Sequence, residues 1–137
     1  MKSITVEMPH LTNAECGSIA VTAAEGGIGY WSQIEEYRPS RWFGNEGWIE
    51  VADDFVFYRL APMTDDEMDY DWDKAIDITP DLIRLGFERG LDAPIDLGGW
   101  AVRNLVAKNR ADWDAEVDAT DADIIIQFGC FGELVYG

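Results

Sequence analysis

The stretch Ala24-Glu25-Gly26-Gly27-Ile28-Gly29-Tyr30-Trp31 decides how the chain is read. A helical pattern stops in it, three glycines follow within four residues, and an aromatic strand begins. Upstream, Cys16, Ile19, Ala20 and Ala23 recur at helical spacing, and Thr12 or Asn13 offers an N-cap. Gly26 and Gly27 stand where a helix C-terminus needs left-handed backbone, which glycine adopts without steric cost. Gly29 lacks a side chain, so another backbone or a ring can approach it closely. Tyr30 and Trp31 are consecutive, so in a strand they point to opposite faces. One ring then enters the core while the other meets a groove or a partner. The plainer alternative is a helix-to-strand joint with ordinary packing aromatics.

Working outward, the pattern predicts an α+β fold in one domain spanning 1–137. Three to four antiparallel strands are expected at about 28–37, 48–52, 55–61 and 74–78. Helices at about 13–25, 80–90, 100–109 and 121–135 pack on one face. Segments 48–52 and 55–61 read as a hairpin turning at Asp53-Asp54. Residues 55–61 carry apolar side chains on both faces, which predicts a central strand covered on both sides. Thr79-Pro80 is a helix start, threonine as N-cap and proline first in the helix. Thr120 is expected to cap the last helix, whose apolar face includes Ile124, Ile125, Phe128, Phe131 and Val135. A strand over 124–128 competes, because three successive isoleucines favour β structure.

Charge narrows the function. Twenty-seven acidic residues against ten basic ones give a net charge of -17. Direct nucleic-acid binding needs clustered Lys and Arg, and anionic membranes repel such a chain, so neither is expected. A partner protein with a basic surface suits it, including one that itself binds nucleic acid. Plain solubility or adaptation to high salt explains the same charge. Cys16 and Cys130 read as buried free thiols in a reducing compartment. No signal-peptide pattern and no membrane-length apolar run appear, which predicts a cytoplasmic protein.

Candidate sites follow from residue type. Segment 65–73 holds Asp65, Asp66, Glu67, Asp69, Asp71 and Asp73, with Tyr70 and Trp72 between the later acids. Such a row resembles nucleic-acid phosphates carrying rings, and a nucleic-acid-binding partner could grip it; a solvated acidic loop is the simpler account. A second acidic run covers 112–123. Trp42 and Phe43 form a candidate apolar anchor. Gly26, Gly27, Tyr30 and Trp31 could wall a ligand pocket, with Arg38 and Arg41 taking an anion through forked donors. Asp69, Asp71 and Asp73 match the first EF-hand ligand positions, but Lys74 stands where glycine is needed and Pro80 where the closing glutamate belongs. His10, the single histidine, sits in no nucleophile motif. There is no Walker loop, and Gly27–Gly29 completes no dinucleotide fingerprint. No catalytic residue, metal or cofactor is expected, although an enzyme built on a carboxylate pair with a divalent metal stays open.

Two motifs resemble a known family. Glu25-Gly26-Gly27-Ile28-Gly29-Tyr30-Trp31 and the terminal Phe131-Gly132-Glu133-Leu134-Val135-Tyr136-Gly137 look like the E-G-G-x-x-Y-W and F-G-E-x-x-Y-G signatures of small, mostly uncharacterised phage proteins, especially from phages of actinobacteria. Thr79-Pro80-Asp81-Leu82-Ile83-Arg84-Leu85-Gly86 is similar to that family's threonine-led helix. Gly129-Cys130 departs from its more usual alanine-leucine type pair. The resemblance implies a phage gene product acting in the bacterial host cytoplasm, and it brings no catalytic residues. It raises the expectation of a counter-defence or host-takeover inhibitor that binds a host or phage protein. A small-molecule, nucleotide-like binding module is the alternative.

Overall fold

The computed structural model describes residues 11–44, 47–64, 69–108 and 117–137, with 104–108 as backbone only. Thr12 opens the first helix, α1 (Asn13–Thr22), with a capping box: its hydroxyl accepts from Glu15 N–H while the Glu15 carboxylate accepts from Thr12 N–H. The helix then widens into a π-helical turn over Ala23–Gly27. Gly26 and Gly27 do not take the left-handed conformation expected of them. They serve close packing instead: a Cβ on Gly27 would lie 2.6 Å from the Ala119 carbonyl oxygen.

Strand β1 (Ser32–Glu35) is shorter than expected. Residues 28–31 make a turn, held by Trp31 and Ser32 N–H donating to the Ile28 carbonyl and by the Ser32 hydroxyl donating to the same oxygen at 2.8 Å. Strands β2 (Phe43–Gly44) and β3 (Gly47–Trp48) pair only with each other, Phe43 opposite Trp48. The expected hairpin of 48–52 with 55–61 is therefore absent. The N-terminus of α1 takes up that segment: Glu50 accepts from Asn13 N–H at 2.9 Å and Ala14 N–H at 3.3 Å, and the Asn13 amide donates to the Val51 carbonyl at 2.6 Å. Unsatisfied helix donors outcompete a strand ladder there.

Strand β4 (Tyr58–Pro62) is central, with β1 on one side and β5 (Ile76–Ile78) on the other, both antiparallel. Ile34, Leu60 and Ile76 lie opposite one another in the register, and Tyr58 pairs with Ile78. These form the inner face. The other face is covered only in part: Ala61 is buried, but Arg59 is half-exposed and stands between Glu35 and Asp77, at 3.1 and 3.5 Å.

Helices α2 (Pro80–Asp92), α3 (Gly99–Lys108) and α4 (Ala119–Phe131) complete the α+β fold. Thr79 caps α2 through Leu82 N–H, with Pro80 first in the helix. Asp118, not Thr120, caps α4, accepting from Asp121 N–H at 2.8 Å. Residues Ala122 to Gly129 are all buried, so 124–128 is helical and core-facing all round; tertiary burial overrides the β preference of the isoleucines. Gly132, at φ 76°, ends α4, so Val135 lies beyond the helix and exposed. Helices α2 and α4 cross at Gly86 and Gly129. A Cβ on Gly86 would sit 2.1 Å from the Ile125 carbonyl oxygen, and one on Gly129 2.7 Å from the Leu82 oxygen. Glycine at 129 thus has a packing reason.

Candidate functional site

Residues 25–31 and 131–137 meet inside the molecule, the first bonded to Asp123 and the second to Gln127 one turn along the same helix. Residues 28–31 turn instead of extending, so Tyr30 and Trp31 both reach Asp123, with Trp31 entering the core as expected of one ring and Tyr30 half-exposed. The Tyr30 hydroxyl donates to Asp123 Oδ2 at 2.6 Å, and Trp31 Nε1 donates to Oδ1 at 2.8 Å. One helical turn on, the Gln127 amide donates to the same Oδ1 at 2.9 Å. Its carbonyl oxygen accepts from Val135 and Tyr136 N–H, both at 2.9 Å, drawing the C-terminal segment onto the helix. Tyr136 then stacks on Trp31, with ring centroids 5.0 Å apart and planes 10° from parallel, while Phe131 meets Trp31 edge-on at 5.6 Å. The Tyr136 hydroxyl reaches the Met63 carbonyl at 3.2 Å.

This chemistry is structural. Asp123 accepts three hydrogen bonds and is buried, which is how a carboxylate is tolerated in a core. Burial, with the Asp123 hydrogen bond and charge, pushes the Tyr30 hydroxyl up to about 12, so it is not a base near neutrality. The sequence places Asp123 in the second acidic run and singles out nothing at Gln127. Their signal was present: a polar pair at i, i+4 within an otherwise apolar helix.

A shallow depression of about 490 Å³ lies beside this joint, lined by Gly26, Gly27, Tyr30, Trp100, Asp123 and Tyr136 among others. Part of the expected ligand wall is thus present. Trp31 is buried behind it, and neither Arg38 nor Arg41 lines it. Arg41 lies over the Phe55 ring at 5.0 Å, and Arg38 is exposed on the same turn. The carboxylate here argues against the anionic ligand proposed for those arginines.

The expected apolar anchor also divides. Trp42 is buried: its ring packs at 5.1 Å from Phe57, its indole N–H donates to the Gly17 carbonyl, and Gly17 leaves room for it. Phe43 is exposed and packs against Trp48 at 4.6 Å.

Within the acidic stretch, Asp65, Asp66 and Glu67 lie outside the described residues, as does His10. Asp69 and Asp73 are exposed, and Tyr70, Asp71 and Trp72 half-buried. The segment is tied to the sheet: Tyr70 bridges Met63, and Asp71 N–H donates to the Pro62 carbonyl at 2.9 Å. In the second acidic run, Asp112, Asp114 and Glu116 lie outside the described residues, whereas Asp118 caps α4 and Asp123 is internal.

Burial pushes the thiols of Cys16 and Cys130 each up to about 12, so neither is a nucleophile at neutral pH. Among the described residues, no group of three or more His, Cys, Asp or Glu side chains is placed to hold a metal ion, and no helix is long and apolar enough to cross a membrane. Compared with protein-family models, curated proteins and solved structures, the chain matches none.

Proposed function

We propose that this protein acts by binding another protein, and that its acidic surface stands in for nucleic-acid phosphates on a partner whose own surface is basic. The observation that carries this is the excess of 27 acidic over 10 basic residues. Structural engagement of the basic residues supports it. Arg59 is held between Glu35 and Asp77, Arg84 between Asp53 and Asp81, and Lys74 lies 4.0 Å from Asp71. Arg89 and Arg103 donate to backbone carbonyls. Among the seven basic residues whose side chains are described, these five are tied into ion pairs or backbone hydrogen bonds, while Asp69 and Asp73 face solvent beside two aromatic rings. The resemblance to phage proteins sets the context: a counter-defence or host-takeover inhibitor in a bacterial cytoplasm, with the row from Asp65 to Asp73 as its contact.

The test is competition. Nucleic-acid-binding proteins of an actinobacterial lysate, eluted from heparin, are offered labelled DNA with and without this protein over a salt series. The expected result is displacement of DNA that weakens steeply as salt rises. A variant with residues 65–73 neutralised (Asp→Asn, Glu→Gln) should displace far less. Displacement that ignores salt, or survives neutralisation intact, overturns the proposal.

A further inference from the structure

Helices α2 and α4 end side by side, and their C-termini open onto a groove of about 590 Å³ that touches none of the residues assigned to recognition above. Phe128, Leu97 and Leu134 give it an apolar floor. Leu134 also lines the depression at Trp100, so the two hollows share a wall. The surroundings are unusually apolar for solvent: Ile95 is 62% exposed, Leu97 61% and Trp100 46%. Large exposed apolar side chains gathered at a concavity mark a contact surface.

Charge selects the occupant. Asp92, Asp96 and Glu133 line the groove, against the single guanidinium of Arg89. Arg89 donates to the Phe128 and Gly129 carbonyls at 3.0 and 3.2 Å, so its charge is already engaged at the end of α4. Helix C-termini carry partial negative charge, which adds to the three carboxylates. Arg103 makes the same point, donating to the Leu91 and Ala93 carbonyls at the end of α2. This end of the molecule attracts guanidinium groups from its own chain.

We propose that the groove between the ends of α2 and α4, with the adjoining depression that holds Trp100, binds a basic amphipathic segment of a partner protein, apolar side chains against Leu97, Leu134 and Trp100, and Lys or Arg side chains toward Asp92, Asp96 and Glu133. The inference shares with the proposed function only the expectation of a basic partner; it uses a different surface and adds apolar recognition. An amphipathic helix laid in such a groove is a recurrent mode of recognition.

The probe is a fluorescently labelled leucine–lysine peptide with its two residue types segregated at helical spacing. Its control has the same composition scrambled, so charge is constant. Anisotropy titrations are expected to show the segregated peptide binding about tenfold tighter than the scrambled one. The double variant Leu97→Ser, Trp100→Ser should erase that preference while leaving the scrambled peptide unaffected. Both positions are exposed, so thermal unfolding should match wild type. If that variant fails to fold, Asp92→Asn, Asp96→Asn, Glu133→Gln should also weaken the segregated peptide more than the scrambled one. Equal binding of the two peptides to wild type, or a preference that survives the folded variants, overturns the inference. Neutralising Asp69, Asp71 and Asp73 separates the two proposals: it lowers affinity for both peptides alike if the acidic row attracts basic partners, and it leaves the preference for the segregated peptide in place.

Discussion

Asp123 and Asp69 carry the same side chain to opposite ends. Asp123 is enclosed by Tyr30, Trp31 and Gln127 and organises the core, whereas Asp69 stands in solvent at the edge of the sheet. The contrast teaches that a count of acids is not a map of recognisable charge. Asp118 caps a helix, Glu50 receives the N-terminus of α1, and Glu35 and Asp77 flank Arg59. Each of these carboxylates has an internal partner. What a binding partner can grip is the remainder, and Asp69 and Asp73 are its described members in the first acidic segment.

The sharpest way to break this contrast is Asp123→Ala. It strands the buried indole N–H of Trp31, at about 1–3 kcal/mol, and removes one hydrogen bond each from Tyr30, which is half-exposed, and from the Gln127 amide, which still donates to the Tyr136 carbonyl at 3.2 Å. A loss of about 2–4 kcal/mol is expected in urea unfolding, a large share of a small domain's stability. Asp69→Ala should change the same measurement by less than about 0.5 kcal/mol. Equal effects at the two positions would remove the distinction between them.

Next in size is Gly86→Ala. The new methyl meets the Ile125 carbonyl, which belongs to helical backbone and cannot swing aside as a flexible side chain can. Helices α2 and α4 must separate, and overpacking of this kind costs about 1–3 kcal/mol. The same measurement shows whether the joint at Asp123 depends on how closely α2 holds α4. If it does, Gly86→Ala and Asp123→Ala are non-additive in the double variant.

Much of the fold was legible, and the failures have identifiable causes. Thr12 and Thr79 begin helices because capping is local chemistry that three or four residues carry. The central position of 55–61 was visible in its apolar content; Phe57 and Ala61 are buried, and only the half-exposed Arg59, between Glu35 and Asp77, opens that face to solvent. The hairpin at 48–52 failed because Glu50 and Val51 are claimed by Asn13, some 37 residues earlier, a competition that no local pattern encodes. Gly26 and Gly27 were recognised as special for the wrong reason: close approach to Ala119 requires them, not a left-handed backbone. Burial hid Trp42, since an aromatic beside Phe43 in a glycine-flanked loop reads equally as core or surface. At the groove, Leu97 and Trp100 were present as apolar residues around a Gly-Gly turn, but exposure is a tertiary property.

A smaller effect separates the interior from the surface by pH. Burial raises the thiol of Cys130 from 9.0 to about 12, and burial with Asp123 raises the Tyr30 hydroxyl from 10.0 to about 12. Between those values the unfolded chain releases protons that the folded chain retains. The stability these groups contribute is complete below about pH 9 and fades as pH climbs toward 12. Urea midpoints are expected to fall over that interval, and Cys130→Ala should shallow the fall. Asp69→Asn, a change in solvent away from both groups, should leave its slope unaltered.

The smallest effect on stability should accompany the largest effect on binding. Replacing Asp69, Asp71 and Asp73 together with Asn removes three charges. The one ion pair it breaks among the described residues is the 4.0 Å contact of Lys74 with Asp71. Exposed pairs of that kind contribute about 0–1 kcal/mol. Urea unfolding should therefore move by less than about 1 kcal/mol, and relief of repulsion among neighbouring acids works against even that loss. Binding to a basic partner is governed by a different quantity, the number of charges it meets, and so by the slope of affinity against salt. The triple variant should bind more weakly at low salt and converge on wild type at high salt. A stability loss as large as that of Asp123→Ala would instead place these carboxylates among the structural ones, and the division drawn between Asp123 and Asp69 would fail at its exposed end.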